Sequence, residues 1–161
     1  MTAASIEFHI APMEPRDWPG VVAVYAEGIA SGAATFETEV PTWERWDRDH
    51  LDDHRLVARA GGEVLGWAAL SRVSIREVYE GVAEASVYVA ESARGSGIGE
   101  ALLEALVASA DAGGIWTVEA VASPRTRPAW RCSGPAASAW SGGGSASGSD
   151  VLLLERRSPE P

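Results

Sequence analysis

The sequence predicts an α+β domain, an α/β sandwich in which helices flank a mixed central sheet. Three observations carry that expectation. Short runs of β-forming residues recur along the chain, two of them meeting at Gly61-Gly62 as a hairpin. Three other runs place apolar side chains at helical spacing. Finally, residues 87–121 read as strand, glycine loop, helix and strand in immediate succession. A chain of 161 residues is large enough to bury a core but too short for two substantial domains, so one domain over 1–161 is expected.

In chain order, "SIEFHIAP" alternates apolar and polar residues up to a proline, which predicts a strand with Ile6, Phe8 and Ile10 on one face. Trp18, Val21, Val22, Val24, Tyr25 and Ile29 predict a helix over about 15–30, stopped by Gly32. "PTWERWDRDHLDDHR" begins with Pro41 and sets Trp43, Trp46 and Leu51 on one side of an otherwise charged helix. "LVARAGGEVLGWAALS" supplies the hairpin, and Val87, Tyr88 and Val89 form the next strand. Leu102, Leu103, Leu106, Val107 and Ala110 then repeat at helical spacing until Gly113-Gly114. "IWTVEAV" is a further strand. Beyond Val121, Ser, Gly, Ala, Pro and Arg dominate without periodicity until "DVLLLERR".

A net charge of −10 argues against nucleic-acid and anionic-membrane partners, which are held by clustered Lys and Arg. Cys132 is the one cysteine, so an intramolecular disulfide and a Cys-rich zinc site are excluded, in keeping with a reducing cytoplasm. The N-terminus has no basic segment followed by an apolar run, and nothing approaches the roughly 20 apolar residues of a membrane span. A soluble, cytoplasmic protein with a small soluble partner is expected.

"RGSGIG" leads directly into a helix, where unpaired backbone N–H groups and the helix dipole suit a phosphate. A tight turn whose glycines only permit positive φ and close packing is the alternative. A dinucleotide-binding oxidoreductase is a second alternative, with Glu119 as the acid about 20 residues on. Against it, Glu100 stands where the third glycine belongs, and the loop lies past mid-chain.

The run "SVYVAESARGSGIGEALLEAL" resembles the acetyl-CoA-binding segment of the GNAT N-acetyltransferases, with Arg94, Gly97 and Gly99 on the loop pattern. "YAEGIASGAATFETEVPTWERW", "GWAALSRVS" and "REVYEGVAEASVYV" are similar to the phosphinothricin acetyltransferase branch, and the resemblance extends over about 5–121. It implies acetyl-CoA as cosubstrate, with the pyrophosphate on Arg94, Gly95, Ser96, Gly97, Ile98 and Gly99 and the pantetheine arm beside Val87, Tyr88 and Val89. It also implies a small amino-acid-like amine as acceptor, bound by Phe36, Glu37, Arg76 and Tyr79, and a homodimer. An ammonium must lose a proton before it can attack a thioester, so a base is required. By the same resemblance Glu84 fills that position, and a solvated strand glutamate is the plainer reading of it.

Other polar candidates point elsewhere. His9 is expected on the solvent side of the first strand. His50 and His54 form an i,i+4 pair on the charged helix, but no third ligand stands nearby and no metal is expected. Trp43 and Trp46 read as core or dimer contact.

The resemblance also calls for a Pro-Glu-Asn turn, a helix, a Gly-Phe pair and a strand after "IWTVEAV", and the written residues lack all four. Read from the last base of the Ala122 codon, permitted codons for "ASPRTRPAWRCSGPAASAWSGGGSASG" yield "VPENAASLALQRACGFRVVGRRERIG". Trp130 and Cys132 restrict the hidden residue at each position to Leu, Met or Val. Residues 122–149 therefore read as out of frame and irregular, with the covering helix and last hairpin disrupted and the frame restored near Asp150. The asparagine that contacts CoA in the family lies hidden beneath Thr126, and no His or Tyr can be encoded under Ser133, which leaves the general acid unassigned. A catalytically dead CoA-binding remnant is the alternative for the chain as written.

Overall fold

A computed structural model of the chain describes residues 6–31, 39–72, 81–93, 95–122, 140–141 and 152–157. Seven strands form one sheet: β1 (His9–Pro12), β2 (His50–Ala60), β3 (Glu63–Arg72), β4 (Val82–Val89), β5 (Thr117–Ala122), β6 (Trp140–Ser141) and β7 (Leu152–Arg157). Their order is β1-β2-β3-β4-β5-β7-β6. Every neighbouring pair is antiparallel except β4 with β5. The helices are α1 (Trp18–Ser31), α2 (Trp43–Asp49) and α3 (Ile98–Ala112). Parallel neighbours need a crossover, and α3 is the crossover that makes the sheet mixed.

The hairpin around Gly61-Gly62 forms as expected between β2 and β3. The first strand is shorter than the alternation suggested: Ile6 and Phe8 precede β1, although both still pack against the core. Residues 15–17 make a 3₁₀ turn before α1, and Pro19 sits in the first turn of α1, where its missing N–H costs nothing. Arg59, on β2, pairs with the buried Asp17 of that turn and so ties it to the sheet.

The helix expected over 41–55 ends at Asp49, and the rest of that stretch is β2. Thr42 caps its start by accepting the Arg45 N–H at 3.3 Å. At its end the Arg55 guanidinium donates to the carbonyls of Asp47, His50 and Leu51 at 2.8, 3.0 and 2.9 Å, satisfying acceptors a helix terminus leaves open. Beyond that point His50 and Arg55 pair with Ser71 and Ala69 of β3, and β1 joins on the other side over Leu56–Arg59, so the ladder fixes both ends of a stretch of weak helix formers.

Two layers cover the sheet. On one face Tyr25 of α1 stacks on Trp67 and Tyr88, with centroids at 5.5 and 4.9 Å, and Trp46 of α2 meets Trp67 edge-on at 5.6 Å. Trp46 and Trp67 are fully buried, which settles Trp46 as core, with Trp43 packed partly buried against it. On the other face α3 lays Ile98, Leu102 and Leu106 over β2 to β4. Contact there is so close that a Cβ on Gly66 of β3 would lie 2.9 Å from the Tyr88 carbonyl oxygen and 3.0 Å from Leu102.

Of residues 122–149, Ala122 closes β5 and Trp140–Ser141 makes a two-residue pairing with β7. "DVLLLERR" supplies β7, which pairs with β5 over its full length.

Gly66→Ala is expected to cost about 1–3 kcal/mol, because the backbone of β4 cannot yield to the added methyl. A lower denaturant midpoint with an unchanged slope would show it.

Candidate active site

The site begins where β4 and β5 part. They pair only as Val82↔Thr117, Ala83↔Val118, Glu84↔Glu119 and Ala85↔Ala120. Beyond that, β4 stays on β3 through Val89↔Gly66, while β5 stays on β7 through Ala122↔Leu152. Among the described residues no strand pairs the outer edge of Ser86–Val89, so alternate N–H and C=O groups of that edge face a wedge. The wedge has a local cause. The N–H groups of Trp116 and Thr117 both donate to the Gly81 carbonyl, at 2.9 and 3.0 Å, which pins β5 to the start of β4 and leaves the far ends unjoined.

β4 points along this wedge into the glycine loop. Gly95 and Gly97 have φ of 81° and 86°, a left-handed backbone that side chains other than glycine seldom adopt. Close packing is not the reason for them, since a Cβ on either would meet no atom within 4 Å. The outer side of the loop is open. Ser96 Oγ donates to the Ala93 carbonyl and holds the turn. The Ala101 N–H bonds the Gly97 carbonyl at 3.0 Å, so the N–H groups of Ile98 and Gly99 come before the helix's own ladder.

These placements limit what each expected residue can contribute. Ile98 is buried under the sheet, and Tyr88 is buried in its stack with Tyr25 and Trp67, so both could meet a ligand only through their backbones. Val87 and Val89 are partly exposed. Arg94, Phe36, Glu37, Arg76 and Tyr79 lie outside the described residues.

Glu84 stands on the α1 face of β4, in the paired segment just before the split. Desolvation and the Glu119 carboxylate opposite both push its pKa up. Glu84 is exposed, so solvent weakens the first cause, whereas strand pairing fixes Glu119 in place. The result is a carboxylate that holds a proton more readily than an ordinary glutamate. That suits a proton acceptor working nearer neutral pH.

The place of Glu119 beside Glu84 is not visible from the local pattern around either residue. The strand-helix-strand order held the signal, because a crossover of that kind sets the second strand parallel to the first.

The two histidines part company. Both lie on β2 rather than on a helix, and a register shift between His50 and Arg55 turns them to opposite faces. His50 stacks on Trp46 at 4.2 Å, while His54 Nδ1 lies 2.7 Å from Ser109 Oγ of α3. Burial lowers the pKa of each. His9 is exposed, as expected.

A parted parallel pair followed by a glycine turn and a helix start coincides with a family match: the sequence profile described as the Acetyltransferase (GNAT) family fits residues 21–132. The chain belongs to the GNAT family. Among GNAT relatives, a phosphinothricin N-acetyltransferase of Alcaligenes faecalis is 38% identical over 106 residues, covering 62% of this chain and 53% of that enzyme. An L-methionine sulfoximine/L-methionine sulfone acetyltransferase of Pseudomonas aeruginosa is 38% identical over 105 residues, covering 62% and 61%. The chain thus spans about half to three fifths of the curated relatives it matches. A crystal structure of a GNAT superfamily phosphinothricin acetyltransferase from Sinorhizobium meliloti, in complex with AcCoA, superposes with a TM-score of 0.79 at 26% identity. The match covers 93% of this chain and 88% of that one.

The wedge has a measurable signature. Amides on the β5-facing edge of Ser86–Val89 should exchange with solvent faster than those joining Val82–Ala85 to β5, and residue-resolved hydrogen exchange checks this.

Proposed function

We propose that the chain is an acetyl-CoA-dependent N-acetyltransferase acting on the primary amine of a small amino acid resembling phosphinothricin or methionine sulfoximine. The observation that carries this reading is the alignment of Glu84, the wedge beside Ser86–Val89 and the open glycine loop along one strand. An extended ligand laid along that edge would reach from Glu84 to the start of α3. The named activities of the relatives support the substrate class.

The residues fit such a ligand. The outward backbone groups of Val87, Tyr88 and Val89 suit the amides of a pantetheine arm, which would bind as an added strand. Gly95, Ser96, Gly97, Ile98 and Gly99 suit a pyrophosphate through backbone N–H groups and the helix dipole, and Arg94 would add a cation. When bound, acetyl-CoA supplies the acetyl thioester. Glu84 takes the proton from the substrate ammonium and so exposes the lone pair that forms the amide. The site works with Glu84 ionised, and its raised proton affinity places the loss of activity on the acid side of neutrality. Phe36 and Glu37 would line the acceptor pocket, and Arg76 with Tyr79 would hold the carboxylate of the amino acid. A homodimer is part of this reading, and light scattering tests it. The single cysteine, Cys132, supports a cytoplasmic location.

We also propose that residues 122–149 are an out-of-frame stretch of the same single domain. The codon rereading from Ala122 supports it. Restoring the frame should raise kcat for amine-dependent release of CoA thiol and lengthen the pairing between β6 and β7, seen as hydrogen-exchange protection. No gain in either would remove the proposal, and no amine-dependent thiol release from the frame-restored protein would overturn the activity.

Two substitutions separate chemistry from binding. Glu84→Gln should lower kcat by roughly 10²–10⁴-fold with acetyl-CoA affinity retained, because Gln keeps the shape but cannot accept the proton. Gly97→Ala should weaken acetyl-CoA binding, since the αL backbone costs roughly 1–2 kcal/mol with a side chain and the methyl enters the open side of the loop. Steady-state kinetics with calorimetric binding resolves the two effects.

A further inference from the structure

We propose that Glu119 is a positioning residue for the reaction: its carboxylate, set beside Glu84 by the parallel pairing of β4 and β5, fixes the proton affinity of Glu84. This rests on the reading of Glu84 as the base. The geometry begins in the register. Glu84 and Glu119 are paired Cα partners on neighbouring parallel strands, so both side chains rise from the same face of the sheet about 4.8 Å apart at their roots. Two carboxylates at that spacing repel when both are ionised, and each proton taken up by one relieves the other.

Glu119 is the nearest charged position to Glu84 on its face of the sheet. On β3 the partner of Glu84 is Ser71, whose Oγ donates to the Glu84 carbonyl at 3.5 Å and carries no charge. Arg72 is the partner of Ala83, which turns it to the opposite face. The neighbours of Glu84 on its own face of β4 are Val82 and Ser86, and Thr117 precedes Glu119 on the same face of β5. Of the two helices over this face, α1 has Glu27 as its one charged residue, whose carboxylate accepts the Glu91 N–H at 2.9 Å beyond the far end of β4, and α2, packed over β2, carries Glu44, Arg45, Asp47, Arg48 and Asp49. On β7 the partner position of Glu119 is Glu155, two strand spacings or roughly 10 Å from Glu84, about a Debye length in ordinary buffer. Arg157, the partner of Thr117 on β7, shares this face diagonally from Glu119, and His50, the partner of Ser71 on β2, shares it two strand spacings from Glu84, so both stand farther from Glu84 than Glu119 does.

The raised pKa of Glu84 agrees with this arrangement, with desolvation as its first cause and Glu119 as its second. Glu119 is only half buried.

The test uses the full-length chain and reads the Glu84 carboxyl directly, by carbon NMR titration without substrate. Glu119→Gln should move the Glu84 midpoint to lower pH, and Glu119→Asp should keep it near its original place because the charge remains. In the unsubstituted protein, raising the salt concentration should also lower the midpoint, since screening weakens the repulsion. A midpoint indifferent to both Glu119→Gln and salt would overturn the proposal, and the salt arm stands even if Gln disturbs the sheet.

Kinetics then separates the two readings. If Glu84 is the base, Glu119→Gln shifts the acid limb of kcat/KM to lower pH in step with the NMR midpoint. Its loss on the plateau should stay well below the roughly 10²–10⁴-fold loss of Glu84→Gln. An NMR shift without a kinetic one would uphold the coupling between the carboxylates and remove Glu84 as the base.

Discussion

Four residue pairs of parallel strand hold the site together. Because Trp116 and Thr117 tie the start of β5 to Gly81, β5 follows β4 only from Val82 to Ala85 and then leaves with β7. The same short pairing does three jobs. It opens the edge of Ser86–Val89, it sets Glu119 beside Glu84, and it obliges the chain to return through α3, whose first turn then sits at the end of the wedge. A longer pairing would close the edge, and an antiparallel one would need no helix at the loop.

The sheet can part there because its stability is secured elsewhere. Trp67 and Tyr88, partners across β3 and β4, stack at 4.8 Å under Tyr25, and both strands are held from the other side by α3. Aromatic burial of that kind is large and fixed in geometry. β4 therefore keeps its position on β3 after it loses β5, and the glycine loop that follows is aimed by a strand that does not depend on the wedge for its order.

Much of this was legible in the residues. The alternation of "SIEFHIAP", the hairpin at Gly61-Gly62 and the leucine spacing of α3 depend on local periodicity, and each element appears within its pattern, β1 over only the second half of its run. Trp43, Trp46 and Leu51 on one side of a charged segment predict helix through 50–55. The strand character of that stretch comes from His50 and Arg55 pairing with β3 and from Arg55 closing α2, neither of which a local pattern contains. The site divides the same way. The glycine loop and Glu84 could be found from a resemblance over contiguous residues, whereas the pairing of Glu84 with Glu119 joins positions separated by a helix and exists only once the crossover is formed.

Charge adds a last constraint. The chain holds 23 acidic residues against 13 basic ones, so its long-range field opposes a polyphosphate ligand and favours a cationic amine. The two ends of the wedge meet that asymmetry differently. At the loop, attraction has to be local, and backbone N–H groups at the start of α3 act at contact distance, where the field of remote carboxylates is screened. At the other end, Glu84 and Glu119 set two carboxylates on adjoining strands, a placement that attracts a cation. Under the proposed reading, the repulsion that raises the proton affinity of Glu84 would also draw the ammonium of an amine, so that capture and activation would both follow from one placement of two carboxylates on adjoining strands.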